Sequence, residues 1–466
     1  MTPKRNSKYN PVMPRKQNPK VAIYTLGCKL NQAETESLTA QLSQAGYQPV
    51  PPQEPADICI ANTCTITHIA DRKSRHWLRL ARRRNPGALV IAAGCYAGRA
   101  PGELAPLADL VLDNAGKERL VEIITELPSV SPSVIASPSL PVILRERSDR
   151  RISLRVNSAN GFPKNSANFS GEKQSHFTHN ARVRSLVKVQ DGCTSRCAYC
   201  IVPEVRTVEF CLPAPEIIAT IKEKTALGYK EVVLTGTKIG GYKDDGADLA
   251  ALVEQILATT GIERLRLSSL QPQEISPALL ALWQDKRLCP HFHLALQSGS
   301  DNILRRMRRR YSRDGYQQAI SLITREIPRA AITTDIMVGF PGESDGDFEQ
   351  SYRFCREAGF ASIHVFPFSP RPGTEAAAMP RQVSDKVKRE RTRKMLELAQ
   401  SCRQSFQQRF LGQTLPVLWE RETSPGSGIY SGLTDNYIRV FTTSERPLVN
   451  EILPLRLGES HFENPG

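Results

Sequence analysis

The sequence is poor in aromatic residues and has no long apolar segment. Phe, Trp and Tyr make up 6% of its 466 residues, so its core must be built mainly from aliphatic side chains. No apolar run approaches the roughly 20 residues that a membrane-spanning helix needs. Residues 1–20 are basic and lack the apolar stretch of a secretory signal. We therefore expect a cytoplasmic protein with no membrane partner.

Acidic residues are too few to balance the basic ones. There are 47 Asp and Glu against 62 Lys and Arg, a net charge of +15. Hydrophobic content of 40% and charged content of 23% are those of an ordinary globular protein. Such an excess of positive charge favours a polyanionic partner. A basic surface that binds no partner would account for the composition equally well.

The chain is too long for a single core, and its composition changes along its length. We predict a basic disordered tail at residues 1–20, an α/β domain at 21–127 and a flexible linker at 128–182. A partial barrel is predicted at 183–408 and a small C-terminal domain at 409–466. The linker is predicted from its Ser, Pro, Asn and Arg content and its lack of any sustained period.

The N-terminal domain alternates short apolar runs with helical periodicity, which predicts a parallel sheet with helices on its faces. The predicted strands are Val21–Thr25, Asp57–Asn62, Ala88–Ala93 and Asp109–Asp113. A helix is expected over Asn31–Gln44, opened by a capping box between Asn31 and Glu34.

The alternation resumes after the linker with six further strands, which predict an open, partial (β/α)6 barrel. They are Ser185–Val189, Glu231–Thr235, Arg264–Ser268, His291–Ala295, Ala331–Met337 and Ser362–Phe366. A long charged helix is expected at Ser384–Arg409. Three strands in the tail then predict a small β-barrel, namely Val417–Glu422, Tyr437–Thr443 and Glu451–Leu457.

The spacing of three cysteines indicates iron–sulfur chemistry. Cys193, Cys197 and Cys200 form C-x3-C-x2-C on a loop just after a predicted strand. Three thiolates leave one iron of a four-iron cluster open. In radical S-adenosylmethionine enzymes the amino and carboxylate groups of that cofactor fill this position. A zinc knuckle would need a fourth Cys or His close by, and the residues up to Glu209 supply none.

A second set of cysteines is dispersed in the sequence. Cys28, Cys64 and Cys95 each follow the carboxyl end of one of the first three predicted strands. Ligands gather at such strand ends in open α/β sheets. From topology alone, a second three-cysteine cluster and three unrelated cysteines remain alternatives. The other cysteines, at positions 59, 211, 289, 355 and 402, are interpreted as structural.

These motifs resemble the radical S-adenosylmethionine methylthiotransferases, and among them the subgroup acting on N6-threonylcarbamoyladenosine of tRNA. The opening Gly27-Cys-Lys-Leu-Asn31 is similar to that subgroup, whereas isopentenyladenosine relatives have Gly-Cys-Gln-Met-Asn and ribosomal-protein enzymes Gly-Cys-x-Lys-Asn. Further similar segments are Leu234–Tyr242, Asn62–Thr67, Ala93–Tyr96, Arg266–Leu270, Leu296–Asp301, Thr334–Glu343 and His364–Pro370.

The resemblance implies an activity and its cofactors. Cys28, Cys64 and Cys95 would hold an auxiliary 4Fe-4S cluster, and the barrel trio a radical 4Fe-4S cluster that cleaves S-adenosylmethionine. The product would carry a methylthio group at C2 of the modified adenosine at position 37, in the anticodon stem-loop of tRNA. An electron donor such as flavodoxin or ferredoxin would be needed, and the C-terminal domain would be an RNA-binding TRAM domain.

Several other residues are candidates for binding. Thr235, Gly236 and Gln297 lie at predicted strand ends near the radical loop and are candidates for cofactor contact. Two further groups are predicted to meet RNA: Arg305, Arg306, Arg308, Arg309 and Arg310 through phosphate, and Tyr430, Tyr437 and Phe441 through stacking, with core packing as the alternative for the aromatic residues. His291 and His293 share one strand face, where filling the barrel interior is favoured over a metal pair.

One motif departs from the family, and three rival functions remain. The family has Arg-Gly-x-x-Arg-Ser where this chain has Arg206-Thr-Val-Glu-Phe-Cys211, which puts local cofactor or phosphate contacts in question. The rivals are methylthiolation of isopentenyladenosine in tRNA, methylthiolation of an aspartate in a ribosomal protein, and a non-catalytic iron–sulfur or zinc protein that binds RNA.

Overall fold

The computed structural model describes residues 18–126, 142–145, 151–153 and 183–464. The chain divides into two compact units, Met1–Asn165 and Ser166–Gly466. Among the described residues, no helix has both the length and the apolar character that crossing a bilayer requires.

The first unit is built on a seven-stranded sheet. Its strands are β1 (Lys20–Thr25), β2 (Gln48–Val50), β3 (Ile58–Thr63), β4 (Leu89–Gly94), β5 (Leu110–Leu112), β6 (Val142–Arg145) and β7 (Arg151–Ser153). The spatial order is β2-β1-β3-β4-β5-β6-β7, and β1 to β5 pair in parallel. The predicted parallel α/β sheet is confirmed, and the limits of the four predicted strands are shifted by at most one residue.

Helices cover both faces of this sheet. They are α1 (Lys29–Gln44), α2 (His68–Arg84), α3 (Cys95–Arg99), α4 (Pro101–Leu104), α5 (Asn114–Glu118) and α6 (Leu120–Glu126). Apolar residues of α1, including Leu38 and Leu42, pack on one face, and Trp77 and Leu78 of α2 pack on the other. Alternate strand residues serve the two cores, as expected for a sheet that is buried on both sides.

The predicted capping box at the start of α1 is wrong. The helix begins at Lys29 with Cys28 as its N-cap, so Asn31 lies inside the first turn. The Asn31 side-chain amide is buried and donates hydrogen bonds to the backbone oxygens of Leu26 and Thr63, at 2.8 and 3.1 Å. The asparagine therefore joins two strand ends to the helix, a tertiary role that has no local sequence pattern.

The predicted linker contains strands that the sequence does not indicate. β6 and β7 fall within residues 128–182 and extend the sheet, with β6 antiparallel to β5 and β7 antiparallel to β6. Backbone pairing can extend a sheet edge without any strong side-chain pattern. The rest of the predicted linker, like the tail at residues 1–17, lies outside the described residues. The domain limits at 127, 182 and 408 stay predictions.

The second unit contains six parallel strand positions in chain order. The barrel strands are β8 (Arg184–Lys188), β11 (Glu231–Thr235), β14 (Arg264–Leu267) with its continuation β15 (Ser269–Leu270), β16 (His291–Leu294), β17 (Ala331–Val338) and β18 (Ser362–Pro367). They pair as β14-β11-β8 and β15-β16-β17-β18. No pairing joins β8 to β18 within the described part of the chain, so the predicted open barrel is confirmed.

Short ribbons and helices complete this unit. Two antiparallel ribbons are β9 (Gln190–Asp191) with β10 (Phe210–Cys211) and β12 (Lys243–Asp244) with β13 (Ala247–Asp248). The helices are α7 (Val202–Val205), α8 (Ala214–Ala226), α9 (Leu249–Thr259), α10 (Pro277–Ala281), α11 (Asp301–Arg306), α12 (Arg313–Glu326), α13 (Asp345–Glu357), α14 (Glu375–Ala378) and α15 (Asp385–Gln408). Ser384 caps α15 by accepting a hydrogen bond from the Val387 amide.

The tail forms four strands rather than the three predicted. β19 (Thr414–Glu422), β20 (Ile429–Thr434), β21 (Arg439–Thr443) and β22 (Ile452–Arg456) pair antiparallel in the order β21-β20-β19-β22. β20 was missed because Gly432 interrupts its apolar pattern. The outer strands β21 and β22 do not pair in the described residues, so the tail is an open antiparallel sheet.

This sheet packs against the amino ends of the barrel strands. Arg266 and Glu231 are fully buried there, and Nε of Arg266 donates to Oε1 of Glu231 at 2.8 Å. Arg266 Nη1 also donates to the backbone oxygen of Asp435, at 3.0 Å. Burial alone would raise the pKa of Glu231, but the guanidinium groups of Arg266, Arg184 and Arg264 outweigh burial and hold it at about 2. The contact between the C-terminal sheet and the barrel is therefore made by buried ionic groups.

Candidate active site

The first cysteine trio lies at the carboxyl end of the barrel, opposite the C-terminal sheet. Cys193, Cys197 and Cys200 are half-buried on the loop between β9 and α7. The Cys200 amide donates to the Cys197 carbonyl at 3.0 Å, which closes a tight turn between the second and third thiols. The loop thus presents three thiols at the strand ends where cofactors bind in α/β folds.

Distant segments fix the shape of this loop. The Ala198 amide donates to the Met307 carbonyl at 3.0 Å, and the Ala376 amide donates to the Ala198 carbonyl at 2.8 Å. Just before the cysteines, Gly192 has φ +73°, and a Cβ there would lie 1.9 Å from the Val208 carbonyl oxygen. Only glycine fits at this position. The loop is therefore held from both sides before any metal binds.

The departure from the family motif leaves its first arginine in a structural role. Arg206 is buried, and its Nη1 contacts Oδ1 and Oδ2 of Asp191 at 2.6 and 2.7 Å. The same carboxylate accepts a hydrogen bond from the Gly192 amide at 2.7 Å. Arg206 thus anchors the start of the cysteine loop, which accounts for this residue without any phosphate contact.

Burial and the neighbouring thiols favour the protonated form of Cys200. Burial raises the pKa of Cys200 to about 12, the nearby Cys197 and Cys193 raise it further, and Arg309 opposes the shift. Such a thiol is protonated at neutral pH, so binding of iron releases protons. Arg309 also donates from Nη1 to Sγ of Cys197 at 3.5 Å. Sequence analysis placed Arg309 among phosphate-binding candidates, and its position beside a thiol has no local sequence signature.

A small polar cavity of about 110 Å³ adjoins the loop. Its lining residues are Thr237, Lys238, Ser269, Leu270, Gln271, Glu274, Ala295 and Arg309. The buried oxygen atoms Thr237 Oγ1 and Glu274 Oε1 have no hydrogen-bond partner within the described structure. Burial raises the pKa of Glu274. These polar groups around a cavity at the strand ends are features of a ligand pocket.

The three residues predicted to contact the cofactor surround this region but do not line the cavity. Thr235 ends β11 and is buried, and Gly236 packs so closely that a Cβ would lie 2.7 Å from the Gln190 carbonyl oxygen. Gln297 has φ +66°, and its buried Oε1 has no hydrogen-bond partner among the described residues. Their contact with the cofactor stays a prediction, and Thr237 and Lys238, which directly follow Gly236 and line the cavity, were not among the predicted residues.

The second cysteine trio lies at the carboxyl ends of three adjacent strands of the first unit. Cys28 follows β1 and caps α1, Cys64 directly follows β3, and Cys95 directly follows β4 and opens α3. Gly27, with φ +101°, lets the Cys28 loop approach, because a Cβ there would lie 2.7 Å from Sγ of Cys64. The three cysteines therefore lie at one edge of the sheet, as their positions after predicted strand ends indicated.

The thiols of this trio affect one another and have polar support. Burial raises the pKa of Cys64 to about 12, and the nearby Cys28 and Cys95 add to the rise. Asn114 donates from Nδ2 to Sγ of Cys95 at 3.5 Å. The side chain of Asn114 in turn accepts a hydrogen bond from the buried Lys117 ammonium at 3.0 Å. This polar support beside the thiols resembles the outer shell that orients metal ligands.

The buried lysine of this network was missed by sequence analysis. Lys117 is 5% exposed and pairs with Glu34 at 2.5 Å. A buried ammonium is stable only when paired and hydrogen-bonded. The only sequence feature that indicates it is the placement of Asn114 and Lys117 just after a strand end, on one turn of α5.

The spacing of the thiols differs from that of a single-ion site. In a tetrahedral zinc site, Zn–S bonds of about 2.3 Å hold the sulfurs about 3.8 Å apart. Within the described residues, one group of Cys, His, Asp or Glu brings three ligand atoms within 4.8 Å of one another, and it contains no cysteine. Neither trio therefore has all three of its sulfur atoms within 4.8 Å of one another in the described part of the chain.

Comparison with known proteins identifies the family. Residues 187–355 match the Radical SAM superfamily and residues 20–113 match the uncharacterized protein family UPF0004. A threonylcarbamoyladenosine tRNA methylthiotransferase MtaB of Aquifex aeolicus is 37% identical over 426 residues, covering 90% of this chain and 96% of the relative. The chain belongs to this methylthiotransferase family. Its Radical SAM membership implies S-adenosylmethionine and a 4Fe-4S cluster.

Other relatives of this methylthiotransferase cover similar lengths. The Bacillus subtilis protein of the same printed name is 31% identical over 94% of the chain and 93% of the relative. The tRNA-2-methylthio-N(6)-dimethylallyladenosine synthase of Syntrophotalea carbinolica is also 31% identical, over 93% of the chain and 96% of the relative. Among solved structures, the radical S-adenosylmethionine methyltransferase TsrM of Kitasatospora setae aligns with a TM-score of 0.56 at 13% identity, covering 77% of each chain. The last likeness supports the fold alone.

The arginine group of the methylthiotransferase is divided by the fold. Arg306 donates from Nε to the Pro341 carbonyl, Arg308 pairs with Glu375 at 2.7 Å, and Arg309 contacts Cys197. Arg305 and Arg310 are exposed. Two of the five arginines are thus free for phosphate contact in the described structure.

The predicted stacking residues also differ in position. Tyr437 stacks on His291 at the barrel junction, with ring centroids 4.0 Å apart, and Tyr430 is buried in the core of the C-terminal sheet. Phe441 lies instead on a surface groove of about 410 Å³, between Arg421 and Arg439. Both tyrosines are therefore packing residues, and Phe441 is the candidate that remains.

The two histidines of β16 fill the barrel interior. His291 Nε2 and His293 Nδ1 each lie 3.0 Å from the Thr333 hydroxyl. His293 Nε2 and His364 Nδ1 contact opposite oxygens of Asp335, at 3.2 and 3.1 Å. These two histidines outweigh the effect of burial and lower the pKa of Asp335. The His293, Asp335 and His364 atoms are the close group noted above, and they already satisfy one another.

The remaining cysteines fit the structural interpretation. Cys59, Cys289 and Cys355 are buried, and Cys211 and Cys402 are partly buried. Burial raises the pKa of Cys355 and of Cys59. Both thiols therefore remain protonated and inert at neutral pH.

Proposed function

We propose that this chain transfers a methylthio group to C2 of N6-threonylcarbamoyladenosine at position 37 of tRNA. The observation that carries the proposal is the combination of two cysteine trios at strand ends with full-length similarity to threonylcarbamoyladenosine tRNA methylthiotransferases. Five such relatives are 31–37% identical over 86–95% of the chain.

The proposal assigns one cluster to each trio. Cys193, Cys197 and Cys200 would hold the radical 4Fe-4S cluster, and Cys28, Cys64 and Cys95 the auxiliary one. Support comes from the three-thiol donor sets at strand ends and from the hydrogen bond that one thiol of each trio accepts, from Arg309 or Asn114. Three protein ligands leave one position open in each cluster, for the cofactor at the first and for sulfur at the second.

The bound groups would supply the hard chemistry. With S-adenosylmethionine, the radical cluster provides the one-electron chemistry that an aromatic C–H bond requires, and the auxiliary cluster provides sulfur. The chain's own residues would bind and orient the cofactor and the RNA. Thr235, Gly236 and Gln297 would border the cofactor, and the polar atoms of the adjacent cavity would accept its donors. The C-terminal groove at Phe441 would contact the RNA.

Further partners follow from the same chemistry. Reductive cleavage needs an electron donor, for which we propose a flavodoxin or a ferredoxin, and the substrate would be the anticodon stem-loop of tRNA. These partners belong to the cytoplasm, where we place the protein. The rival substrate with specific support is isopentenyladenosine, because a relative named for it is 31% identical over nearly the whole chain.

Nucleoside mass spectrometry of tRNA tests the proposal. Cells that lack this chain should contain N6-threonylcarbamoyladenosine without its 2-methylthio derivative, and the wild-type gene should restore the derivative. A variant with Cys193, Cys197 and Cys200 replaced by Ala should not restore it. Loss of 2-methylthio-isopentenyladenosine instead would favour the rival substrate. An unchanged nucleoside profile would reject a tRNA substrate.

A further inference from the structure

Helix α2 of the first unit carries an unusual concentration of positive charge. Its 17 residues, His68–Arg84, contain one acidic residue, Asp71. The basic residues are Arg72, Lys73, Arg75, Arg79, Arg82, Arg83 and Arg84. The helix begins four residues after Cys64, so it leads away from the edge where the second cysteine trio lies.

Two of these arginines are used by the fold. Arg75 pairs with Glu103 at 3.0 Å, and Arg82 pairs with Asp109 at 2.7 Å. The exposed Arg72, Lys73, Arg79, Arg83 and Arg84 form no ion pair with any described residue, and Arg84 is the last residue of the helix, so the other four lie within it. We call these four residues the basic ridge.

Three residues of the ridge lie opposite the buried face of the helix. Trp77, Leu78 and Ala81 face the core, whereas Arg72, Arg79 and Arg83 recur at intervals of seven and four and share one solvent face. At 1.5 Å per residue they span about 16 Å. A linear array of this length matches several consecutive phosphates of a nucleic acid strand.

The charges of the ridge are unfavourable for an isolated helix. Arg79 and Arg83 are like charges at i, i+4, a spacing at which like charges destabilise a helix. In helix α15, by contrast, exposed basic residues form ion pairs: Arg393 pairs with Glu397 and Lys394 pairs with Glu390. Binding of a polyanion would neutralise these charges and would explain why the ridge residues form no ion pair within the described structure.

The position of the C-terminal sheet favours a second RNA surface. That sheet packs at the amino ends of the barrel strands through Arg266 and Asp435, whereas the radical cysteines lie at the carboxyl ends. RNA held at the Phe441 groove alone would leave the reacting nucleotide unsupported. Phosphate contacts elsewhere on the protein are needed to hold the anticodon arm.

We propose that the basic ridge of α2 binds the phosphate backbone of the substrate tRNA. This inference rests on the proposed function for the identity of the RNA. Phosphate contacts from Arg and Lys position a nucleic acid without reading its sequence. Because α2 starts beside the second trio, the ridge would hold the anticodon arm with a nucleotide near the sulfur-bearing cluster.

The test compares two variants of the full-length, anaerobically reconstituted protein. One carries Arg72→Gln, Lys73→Gln, Arg79→Gln and Arg83→Gln. The matched control removes the same charge from exposed positions of α15, with Lys386→Gln, Arg389→Gln, Arg393→Gln and Lys394→Gln. The probe is fluorescently labelled tRNA from cells that lack this chain, and its anisotropy is measured from low to high salt.

The ridge variant should bind about tenfold or more weakly at physiological salt. Its plot of log affinity against log salt should be shallower by about 3, since each lost phosphate contact removes roughly 0.7–0.9 from the slope. The α15 control should retain the wild-type slope. Equal losses in both variants, or none in the ridge variant, would overturn the proposal.

Two further measurements distinguish three cases: a variant that misfolds, an error in the proposed function, and an error in the assignment of the RNA-binding surface. Circular dichroism and iron content should match wild type, and if the fourfold variant misfolds, Arg79→Gln alone should reduce the slope by about 0.7–0.9. Methylthiolation by the wild type is scored in parallel. Tight tRNA binding by the ridge variant with an active wild type rejects the ridge alone. An inactive wild type rejects the proposed function, whatever the binding data.

Discussion

Arg309 donates a hydrogen bond to Sγ of Cys197, although 112 residues separate them in the chain. A cation and a donor beside a cluster thiolate favour the reduced cluster. We predict that Arg309→Met lowers the reduction potential of the radical cluster and slows formation of 5′-deoxyadenosine about 10–100-fold. Potentiometric titration and chromatography measure the two effects. The neighbouring exposed Arg310→Met is the control, and equal potentials in both variants would remove the proposed role.

The two cysteine trios should be separable by their products. Replacing Cys28, Cys64 and Cys95 by Ala should remove about half the iron of the reconstituted protein. It should leave 5′-deoxyadenosine formation running while methylthiolation of tRNA is lost. Replacing the barrel trio should abolish both. Chromatography of the deoxynucleoside and of the digested tRNA measures each outcome, and normal methylthiolation by the first variant would make those cysteines merely structural.

The buried ion pair at the base of the barrel should stabilise the second unit. We predict that Glu231→Gln, which leaves Arg266 buried without its counter-ion, destabilises the protein by about 3–5 kcal/mol at neutral pH. A double variant, Glu231→Leu with Arg266→Met, should recover most of this loss. Urea unfolding followed by circular dichroism measures the difference. The exposed pair of Arg393 and Glu397 is a control whose loss should cost about 0–1 kcal/mol.

The same pair predicts a pH dependence. The folded pKa of Glu231, about 2, lies below the ordinary value of 4.5 for a glutamate side chain. A depressed carboxyl pKa contributes stability that is complete above the unfolded value and is lost as pH falls toward the folded one. The difference in unfolding free energy between wild type and Glu231→Gln should therefore be constant above pH of about 5 and shrink between about 4.5 and 2. A difference that is flat across this window would contradict the ionised pair.

Phe441 should contribute to RNA binding in a way that salt does not modulate. It lines the groove of the C-terminal sheet between Arg421 and Arg439, and stacking of a base on an aromatic ring is worth about 1–3 kcal/mol. Phe441→Ala should weaken tRNA binding by that amount with little change of salt slope. Tyr430→Phe, in the buried core of the same sheet, should bind normally. Wild-type affinity in Phe441→Ala would exclude this groove from the RNA surface.

Local features were predictable because they depend on short spacings. The C-x3-C-x2-C loop after a strand, the alternation of strands and helices, and the charged helix before the tail are all patterns within one or two elements. The convergence of Cys28, Cys64 and Cys95 on one edge followed from a topological rule for parallel sheets rather than from their spacing. For that trio, the sequence left unrelated cysteines as an alternative.

Contacts between distant segments were not predictable. Five clustered arginines have the same sequence character, yet folding directs Arg309 to Cys197 and Arg308 to Glu375. Tyr437 meets His291 because the C-terminal sheet docks on the barrel, and Asn31 joins two strands instead of capping a helix.

The cysteine motifs that indicate the chemistry are present in the linear chain, whereas the partners of most side chains depend on tertiary packing. Cysteine spacing and strand-end placement follow from covalent geometry and local periodicity, which a linear chain already contains. Partner choice depends on which side chains lose water together, and desolvation is a property of packed surfaces. For the same reason, the charges of α2 can be counted in the sequence, but only packing separates the paired Arg75 from the exposed ridge residue Arg79.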